Sequence, residues 1–128
     1  MLDVKVRAGR THVILDTGMI HLGGMAGLGR IHRPVASVEL LGEARGEKLE
    51  PVDVMGPTDS SLDCVARGAM VPPLRPGDIV SIPNVGAYGL TASLVAFAGR
   101  QPPAEVCCRG NSVVAAYRLR TGHQRIRT

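Results

Sequence analysis

The sequence predicts an all-β fold, a barrel or a sandwich with one or two short helices, and three observations support this prediction. Short segments of alternating or β-branched residues are separated by Gly, Pro or Asp, which is typical of strands joined by turns. The chain has 128 residues, which is enough for one domain with one core. Its hydrophobic residues make up 45% but its aromatic residues only 2%, so we expect an aliphatic core.

Seven segments match the strand pattern because they are short, rich in β-branched residues and bounded by turn residues. They are residues 4–6, 11–15, 35–41, 49–54, 78–82, 105–108 and 112–119. Residues 90–97 are small and apolar and are predicted to form a short helix, for which Thr91 or Ser93 is a suitable cap. We expect one domain over residues 1–122 and a flexible basic tail over residues 123–128.

Charge and cysteine content argue against several classes of function. The net charge is +4, and the basic residues are thirteen arginines and two lysines. A basic chain could bind nucleic acid, but the few aromatic residues do not suit the stacking platform of a single-stranded nucleic-acid binder. No run of about eighteen apolar residues predicts a membrane span, and the first residues do not resemble a secretory signal. The odd number of cysteines, with Cys107 and Cys108 adjacent, argues against a disulfide framework. We therefore expect a cytoplasmic protein that binds neither nucleic acid nor a membrane.

Two features that could bind phosphate or metal do not fit the required patterns. The glycine-rich stretch 22–29 is followed by Arg30 and Ile31, where a Walker loop requires Lys and then Ser or Thr, so we expect a plain loop. The histidines are not spaced as metal ligands, and no metal site is predicted; they are His12, His21, His32 and His123. His21 follows a predicted strand on a loop, where a site residue can emerge.

Two further motifs have more than one interpretation. Residues 56–63, GPTDSSLD, contain Asp59 and Asp63, which suit either turn formation between two strands or a binding site. Tyr88 lies in the small-residue motif GAYG at 86–89. Its ring is suited either to packing in the core with one hydrogen bond to the hydroxyl or to contact with a ligand. The residues alone leave these alternatives open.

Taken together, the motifs resemble the C-terminal β-domain of the fold-type III pyridoxal-phosphate decarboxylases, the family of the diaminopimelate, ornithine and arginine decarboxylases. The resemblance runs over about residues 13–106 and lies in VILDTG at 13–18, GPT at 56–58 followed by Asp63, LRPGD at 74–78 and GAYG. The order of AYGLTAS at 87–93 and PAEV at 103–106 is similar to a biosynthetic-cluster branch, which includes enzymes for acyl groups tethered to a carrier protein.

The resemblance implies a Greek-key-like β-barrel or sandwich that works with a separate barrel domain. In the family, that barrel holds pyridoxal phosphate on a lysine, and neither Lys5 nor Lys48 lies in such a motif. The chain is therefore expected to bind the cofactor only with a partner barrel and not to be self-sufficient as an enzyme. A homo-oligomer or a complex with the barrel is implied, and an acyl carrier protein is a further candidate partner.

The resemblance also implies roles for four residues. Tyr88 would take part in catalysis and contact the phosphate side of the cofactor or the substrate. The turn that begins at Gly56 would reach the active site of the other subunit in a dimer. His21, Asp59 and Asp63 would bind substrate, although Asp63 alternatively only holds the turn.

Asp59 departs from the family, which has a cysteine at this position that donates a proton after carbon dioxide leaves. A carboxyl group is a stronger acid than a thiol, so Asp59 is expected to be ionised unless it is buried or paired. Such an anion would attract a substrate amine or act catalytically on the departing carboxylate, or it would mark the loss of decarboxylation. Two functions therefore stay open, the β-domain of a decarboxylase and a non-catalytic binding or regulatory module derived from it.

Overall fold

The computed structural model describes residues 1–23, 37–46 and 48–126. Within these ranges the chain forms strands and very little helix. The strands are β1 (Asp3–Arg7), β2 (Arg10–Ile14), β3 (Glu39–Leu41), β4 (Glu50–Met55), β5 (Cys64–Val71), β6 (Ile79–Ser81), β7 (Ala104–Arg109) and β8 (Ser112–Arg118). One helical turn, α1 (Tyr88–Thr91), and one 3₁₀ turn (Phe97–Gly99) lie between β6 and β7. The all-β prediction with one or two short helices is confirmed.

The described strands form three sheets, which do not close into a single barrel. The largest sheet has the order β1-β2-β4-β5, in which β2 and β4 are parallel and the other neighbours are antiparallel. β3 pairs with β6, and β7 pairs with β8, each in antiparallel fashion. Ile14 at the end of β2 lies opposite Met55 at the end of β4. The loops that follow these two strands therefore leave the sheet side by side.

The core is aliphatic, as the composition predicts, and most of it comes from the four-stranded sheet. Its buried members are Val13, Leu15, Val38, Val52, Val54, Val65, Ala66 and Val71. Val80 and Ile82, in and after β6, pack against it from the β3–β6 pair. Burial of each large aliphatic side chain contributes about 1.5–3 kcal/mol, so the two sheets stabilise each other through this shared core.

Each of the seven predicted strands overlaps an observed strand, and within the described residues 37–41 of the third, the strand comprises Glu39–Leu41. β5 was not predicted. The helix starts and ends before the predicted range, and Thr91 and Ser93 do not cap it. Their hydroxyls donate instead to the carbonyls of Ala87 and Gly89, one turn back. Hydroxyls that bond the preceding turn compete with further helix formation.

A bulge distorts the pairing of β4 with β5. Val52 lies opposite Ala69, whereas Val54 lies opposite Ala66, so β5 contains an extra residue at this point. Gly68 has a φ of +62°, and its N–H donates to Oδ1 of the buried Asp53 at 2.9 Å. The carboxylate of Asp53 thus satisfies a backbone group that the irregular ladder leaves unpaired.

The LRPGD motif forms a turn before β6 that is held by an ion pair. Pro76 and Gly77, the latter with a φ of +94°, occupy the central positions, which is typical of a type II turn. The Asp78 carboxylate accepts from the Arg75 N–H at 2.8 Å and from the two guanidinium nitrogens of Arg45 at 2.6 and 2.8 Å. Arg45, followed by the Arg75 N–H, lowers the pKa of Asp78 to about 2.

The β7–β8 hairpin is exposed on both faces. Every residue of β7 is exposed, and only Ala115 of β8 is half-buried. The hairpin nevertheless carries large apolar side chains that are 51–65% exposed, namely Val106, Val113, Val114 and Tyr117. A two-stranded hairpin alone is marginally stable in water, so this element presents an uncovered apolar surface.

Some predictions fall outside the described residues. They concern most of the loop at 22–29, from residue 24 onward, as well as His32, residues 35 and 36 of the third predicted strand, and the last two residues of the predicted tail. In the described ranges, no helix has the length and apolar character needed to cross a membrane.

Candidate functional site

Two loops at one edge of the main sheet carry three of the four candidate residues. The first loop, residues 15–22, follows β2 and carries His21; the second loop, residues 56–63, follows β4 and carries Asp59 and Asp63. The parallel pairing of β2 with β4 continues into the loops, since the Leu15 N–H donates to the Met55 carbonyl at 2.9 Å. The sheet therefore fixes where both loops begin.

Asp63 is fully buried and joins the two loops. Its Oδ1 accepts from the backbone N–H of Met19 in the first loop at 2.7 Å. Its Oδ2 accepts from the N–H and the hydroxyl of Thr58 in the second loop, at 3.0 and 2.7 Å. A buried carboxylate is tolerated only when it is hydrogen-bonded, and three donors from the chain itself meet this need. These contacts favour the role in which Asp63 holds the turn.

Gly18 and Gly56 make room for this carboxylate. A Cβ atom built on either glycine would overlap with the Asp63 side chain, so a larger residue at either position would displace it. The Gly56 N–H also donates to the Asp63 carbonyl at 2.8 Å. Close packing around one aspartate thus explains the glycines of both the VILDTG and the GPT motif.

The first loop also contacts the segment that follows α1. The Met19 carbonyl accepts from the Leu94 N–H at 3.1 Å, and the N–H of Gly23 donates to the Ser93 hydroxyl at 2.7 Å. A Cβ atom on Gly23 would overlap with the carbonyl oxygen of Ala92. The first loop therefore lies between the second loop on one side and the segment after α1 on the other.

His21 is half-buried at the end of the first loop. Its N–H donates to the Gly18 carbonyl at 2.9 Å, which closes a tight turn. Nε2 of its ring lies 3.2 Å from the Gln101 carbonyl. Because a carbonyl only accepts, this hydrogen bond requires a proton on Nε2. In the neutral ring, Nδ1 is then the nitrogen left to accept a hydrogen bond from a ligand.

Asp59 is exposed on the second loop. It lines an open hollow of about 440 Å³ with Pro57, Thr58, Ser60, Phe97, Ala98 and Arg100. Arg100 donates from Nη2 to the Pro57 carbonyl at 3.0 Å. Within the described ranges, no basic side chain lies within 4.0 Å of the Asp59 carboxylate, so the carboxylate faces solvent and is neither buried nor paired.

Tyr88 begins α1 and its side chain is 77% exposed, so it is not a packed core ring. The described part of the chain offers no hydrogen-bond partner to its hydroxyl. The next residue, Gly89, is buried against Val85, and a Cβ atom there would overlap with the Val85 side chain. Gly89 thus packs the helical turn against Val85, while the phenol ring of Tyr88 points into solvent.

The structure therefore brings His21, Asp59 and Asp63 together on two joined loops and places Tyr88 on a segment connected to the first loop. Sequence analysis did not identify Arg100, which lines the hollow beside Asp59. A single arginine between a small-residue stretch and Pro102-Pro103 was the available signal. In the described ranges, no group of three His, Cys, Asp or Glu side chains is arranged to hold a metal ion.

Comparison with known proteins gives consistent matches. A family model described as "Pyridoxal-dependent decarboxylase, C-terminal sheet domain" matches residues 1–86. The chain is 36% identical over 111 residues to L-glutamyl-[BtrI acyl-carrier protein] decarboxylase of Niallia circulans, with coverage of 84% of the chain and 26% of the relative. It is 38% identical over 89 residues to diaminopimelate decarboxylase of Helicobacter pylori, with coverage of 70% and 21%.

Solved structures of such enzymes share the fold. The crystal structure of the Helicobacter pylori diaminopimelate decarboxylase complexed with L-lysine superposes with a TM-score of 0.73 and 26% identity, covering 88% of this chain and 26% of that one. Diaminopimelate decarboxylase from M. jannaschii gives a TM-score of 0.78 at 21% identity, covering 94% and 26%. The chain thus spans about a quarter of the length of these relatives.

Proposed function

We propose that the chain supplies the substrate-facing loops of a pyridoxal-dependent decarboxylase, because it belongs to the C-terminal sheet domains of that family. The observation that carries this proposal is the joining of the first and second loops by the buried Asp63. It holds Asp59 and His21 at one edge of a rigid sheet, and catalytic groups are most accurate when such a scaffold fixes them. A separate barrel domain would hold the cofactor.

The described residues fit pyridoxal phosphate as one wall of its site. Tyr88 offers an exposed hydroxyl that a group from outside the domain can reach. Lys5 is exposed on β1, 3.5 Å from Asp3, and Lys48 is exposed before β4, so neither lies on the loops of the candidate site. When bound, pyridoxal phosphate supplies the electron sink for cleavage of the bond to the carboxylate. Tyr88 would donate a hydrogen bond to it from this side.

Asp59 and His21 would bind the substrate. An exposed carboxylate attracts an ammonium group and repels a carboxylate, so Asp59 would orient an amino-acid substrate with its amine toward the second loop. His21, with Nε2 engaged by Gln101, would accept a hydrogen bond at Nδ1. In a dimer the second loop would reach the active site of the other subunit.

The proposed substrate class is an aminoacyl group tethered to a carrier protein. The name of the relative from Niallia circulans specifies a glutamyl group on an acyl carrier protein, and that similarity extends over 84% of the chain. A free amino acid is the competing class, because the diaminopimelate decarboxylase of Helicobacter pylori matches 70% of the chain.

The test is decarboxylation by the chain combined with a cofactor-bearing barrel domain, measured as carbon dioxide release from glutamyl-carrier protein and from diaminopimelate. Tyr88→Phe removes only the hydroxyl, and we expect a loss of about tenfold in kcat, because one neutral hydrogen bond contributes about 1 kcal/mol and about 1.4 kcal/mol corresponds to tenfold in rate. Tyr117→Phe is the matched control, because Tyr117 is also exposed but lies on the β7–β8 hairpin. Full activity of Tyr88→Ala would refute the role of Tyr88.

The replacement of the family cysteine by an exposed Asp59 favours one alternative, a non-catalytic binding or regulatory module. Asp59→Cys separates the two functions. If the combined protein is inactive and Asp59→Cys makes it active, the wild-type chain is a module that has lost decarboxylation. If the wild type is active and Asp59→Cys changes only its rate or its substrate preference, the enzymatic proposal stands.

A further inference from the structure

We infer that Arg100, Arg118 and Arg120 form an anion-binding site for the phosphate group of a carrier-protein tether. The choice of this ligand rests on the substrate class proposed above. The three arginines line an open hollow of about 470 Å³ together with Gly99, Gln101, Pro102, Leu119 and Thr121. This volume is within the range of small-molecule sites.

In the part of the chain that the structure describes, the positive charge of this hollow is not compensated. None of the described residues that line it is acidic. Among the described residues, no carboxylate oxygen lies within 4.0 Å of the three guanidinium groups, whereas Arg10 and Arg67 approach Asp53, and Arg45 pairs with Asp78. An arginine without a carboxylate partner keeps its donors available to a ligand. The hollow therefore attracts anions, whereas Arg10, Arg45 and Arg67 each face a carboxylate.

Arg100 connects this hollow to the candidate site. It lines both the hollow beside Asp59 and the arginine hollow, and its bond to the Pro57 carbonyl uses one of its five N–H donors. The neighbouring Gln101 accepts from His21. A long ligand with its anionic group in the arginine hollow therefore has a direct path to the first and second loops.

A phosphate ester suits this arrangement better than the reacting amino acid does. Guanidinium groups bind phosphate oxygens through two parallel hydrogen bonds, and the three arginines come from two separate chain segments, 99–102 and 118–121. The hollow lies beside the loops and not on them, so it is suited to a part of the substrate that does not react. Carrier proteins present acyl groups on a phosphopantetheine arm, whose phosphate lies at the end remote from the acyl group. Such remote contacts hold the substrate equally in its ground state and its transition state, so their loss raises KM and leaves kcat unchanged.

The direct test is calorimetric titration of the 128-residue chain with 4′-phosphopantetheine, pantetheine and inorganic phosphate. We expect 4′-phosphopantetheine to bind at least tenfold more tightly than pantetheine and than inorganic phosphate, with an affinity that falls as salt is added. Equal affinity for pantetheine would overturn the anion site. Equal affinity for inorganic phosphate would identify a site for free phosphate and overturn the assignment to the tether.

Arg118→Gln/Arg120→Gln should lower the affinity for 4′-phosphopantetheine at least tenfold. Arg7→Gln/Arg109→Gln is the matched control, because it also removes two positive charges, both from exposed arginines outside the hollow. Arg109 pairs with Ser112 at the turn of the hairpin, whereas Arg118 pairs with Ala104 at the opposite end. The affinity of this control variant for 4′-phosphopantetheine should equal that of the wild type. Equal losses in both variants would show that general positive charge, and not this hollow, binds the anion.

Kinetics of the combined enzyme separate this inference from the proposed function. The double variant should raise KM for the carrier-bound substrate and leave kcat, and KM for a free amino acid, unchanged. An active enzyme with the same KM in wild type and variant would overturn the inference and leave the proposed function standing. A chain that binds 4′-phosphopantetheine but is inactive with a barrel domain would overturn the proposed function and leave the anion site standing.

Discussion

The Asp63 carboxylate accepts hydrogen bonds from backbone N–H groups of two loops. These loops lie beyond the ends of β2 and β4, where the sheet no longer supplies backbone partners. The Met19 N–H and the Thr58 N–H point at its two oxygens, and the Thr58 hydroxyl adds a third donor. Hydrogen bonds to a charged acceptor contribute more than neutral ones, about 1.5–3 kcal/mol each. One side chain therefore determines the relative position of the loops that carry the candidate site.

Asp63→Asn should destabilise the chain by about 3 kcal/mol, because the amide has one accepting oxygen and its NH₂ group would face buried donors. The free energy of unfolding in urea measures the effect. Asp59→Asn is the control, since Asp59 is exposed on the same loop and its replacement should change stability by less than about 0.5 kcal/mol. Similar losses in the two variants would contradict the structural role of Asp63.

Asp78 should contribute to the stability of the chain only above strongly acidic pH. Its pKa is lowered to about 2 by Arg45 and the Arg75 N–H, below the unfolded value of about 3.9. For a lowered pKa, the stabilisation is complete above the unfolded value and is lost as the pH falls through the folded value.

In urea titrations, Asp78→Asn should therefore be less stable than wild type above about pH 4. The difference should shrink as the pH falls further and vanish only below the folded pKa of about 2. Arg45→Gln removes the partner and should give the same pattern in weaker form, since the Arg75 N–H remains. A constant difference between wild type and Asp78→Asn at all pH values would show that the ion pair is not its cause.

At the scale of the strand, the bulge in β5 depends on backbone conformation and not on space. Gly68 has a φ of +62°, and a Cβ atom there would contact nothing within 4 Å. Gly68→Ala should thus cost about 1–2 kcal/mol, the usual penalty of a left-handed conformation. Gly68→Asn should cost less, because asparagine tolerates this region. Equal losses in chemical denaturation would indicate a steric cause instead.

The elements that sequence analysis predicted correctly are those with an uninterrupted local pattern. β2 and β4 alternate and end at turn residues, so their positions were evident from the sequence. β5 was missed because Arg67, Gly68 and Ala69 break the apolar pattern at the bulge, and the need for that bulge arises from Asp53 on another strand.

Prediction of the candidate site was limited in the same way. Local motifs predicted that His21, Asp59 and Asp63 lie on loops after strands, and the structure has them on the loops after β2 and β4. The packing of Gly18 and Gly56 around Asp63, and the position of Arg100 against Pro57, depend on contacts between distant parts of the chain. No local pattern encodes such contacts.

At the scale of the whole molecule, the β7–β8 hairpin should make the chain associate with itself. Exposed apolar patches of this kind are usually covered by a partner, and unprotected hairpin edges pair with other strands. We expect sedimentation velocity to show association that increases with concentration.

Val113→Lys/Val114→Lys should shift this equilibrium toward monomer, since both side chains are at least 60% exposed. Val6→Lys is the control, because Val6 is 76% exposed on β1. A wild-type chain that stays monomeric at all concentrations, or an equal shift in the control, would refute the role of the hairpin.

The parallel pairing of β2 with β4 has a consequence for the order in which the molecule folds. The ends of these strands, Ile14 and Met55, are about forty residues apart in sequence, and the chain must close this long loop before the pair gains any hydrogen bond. Contacts of such high sequence separation form slowly. The first and second loops therefore cannot meet in a locally folded intermediate. We expect the candidate site to assemble late, in the same step as the sheet.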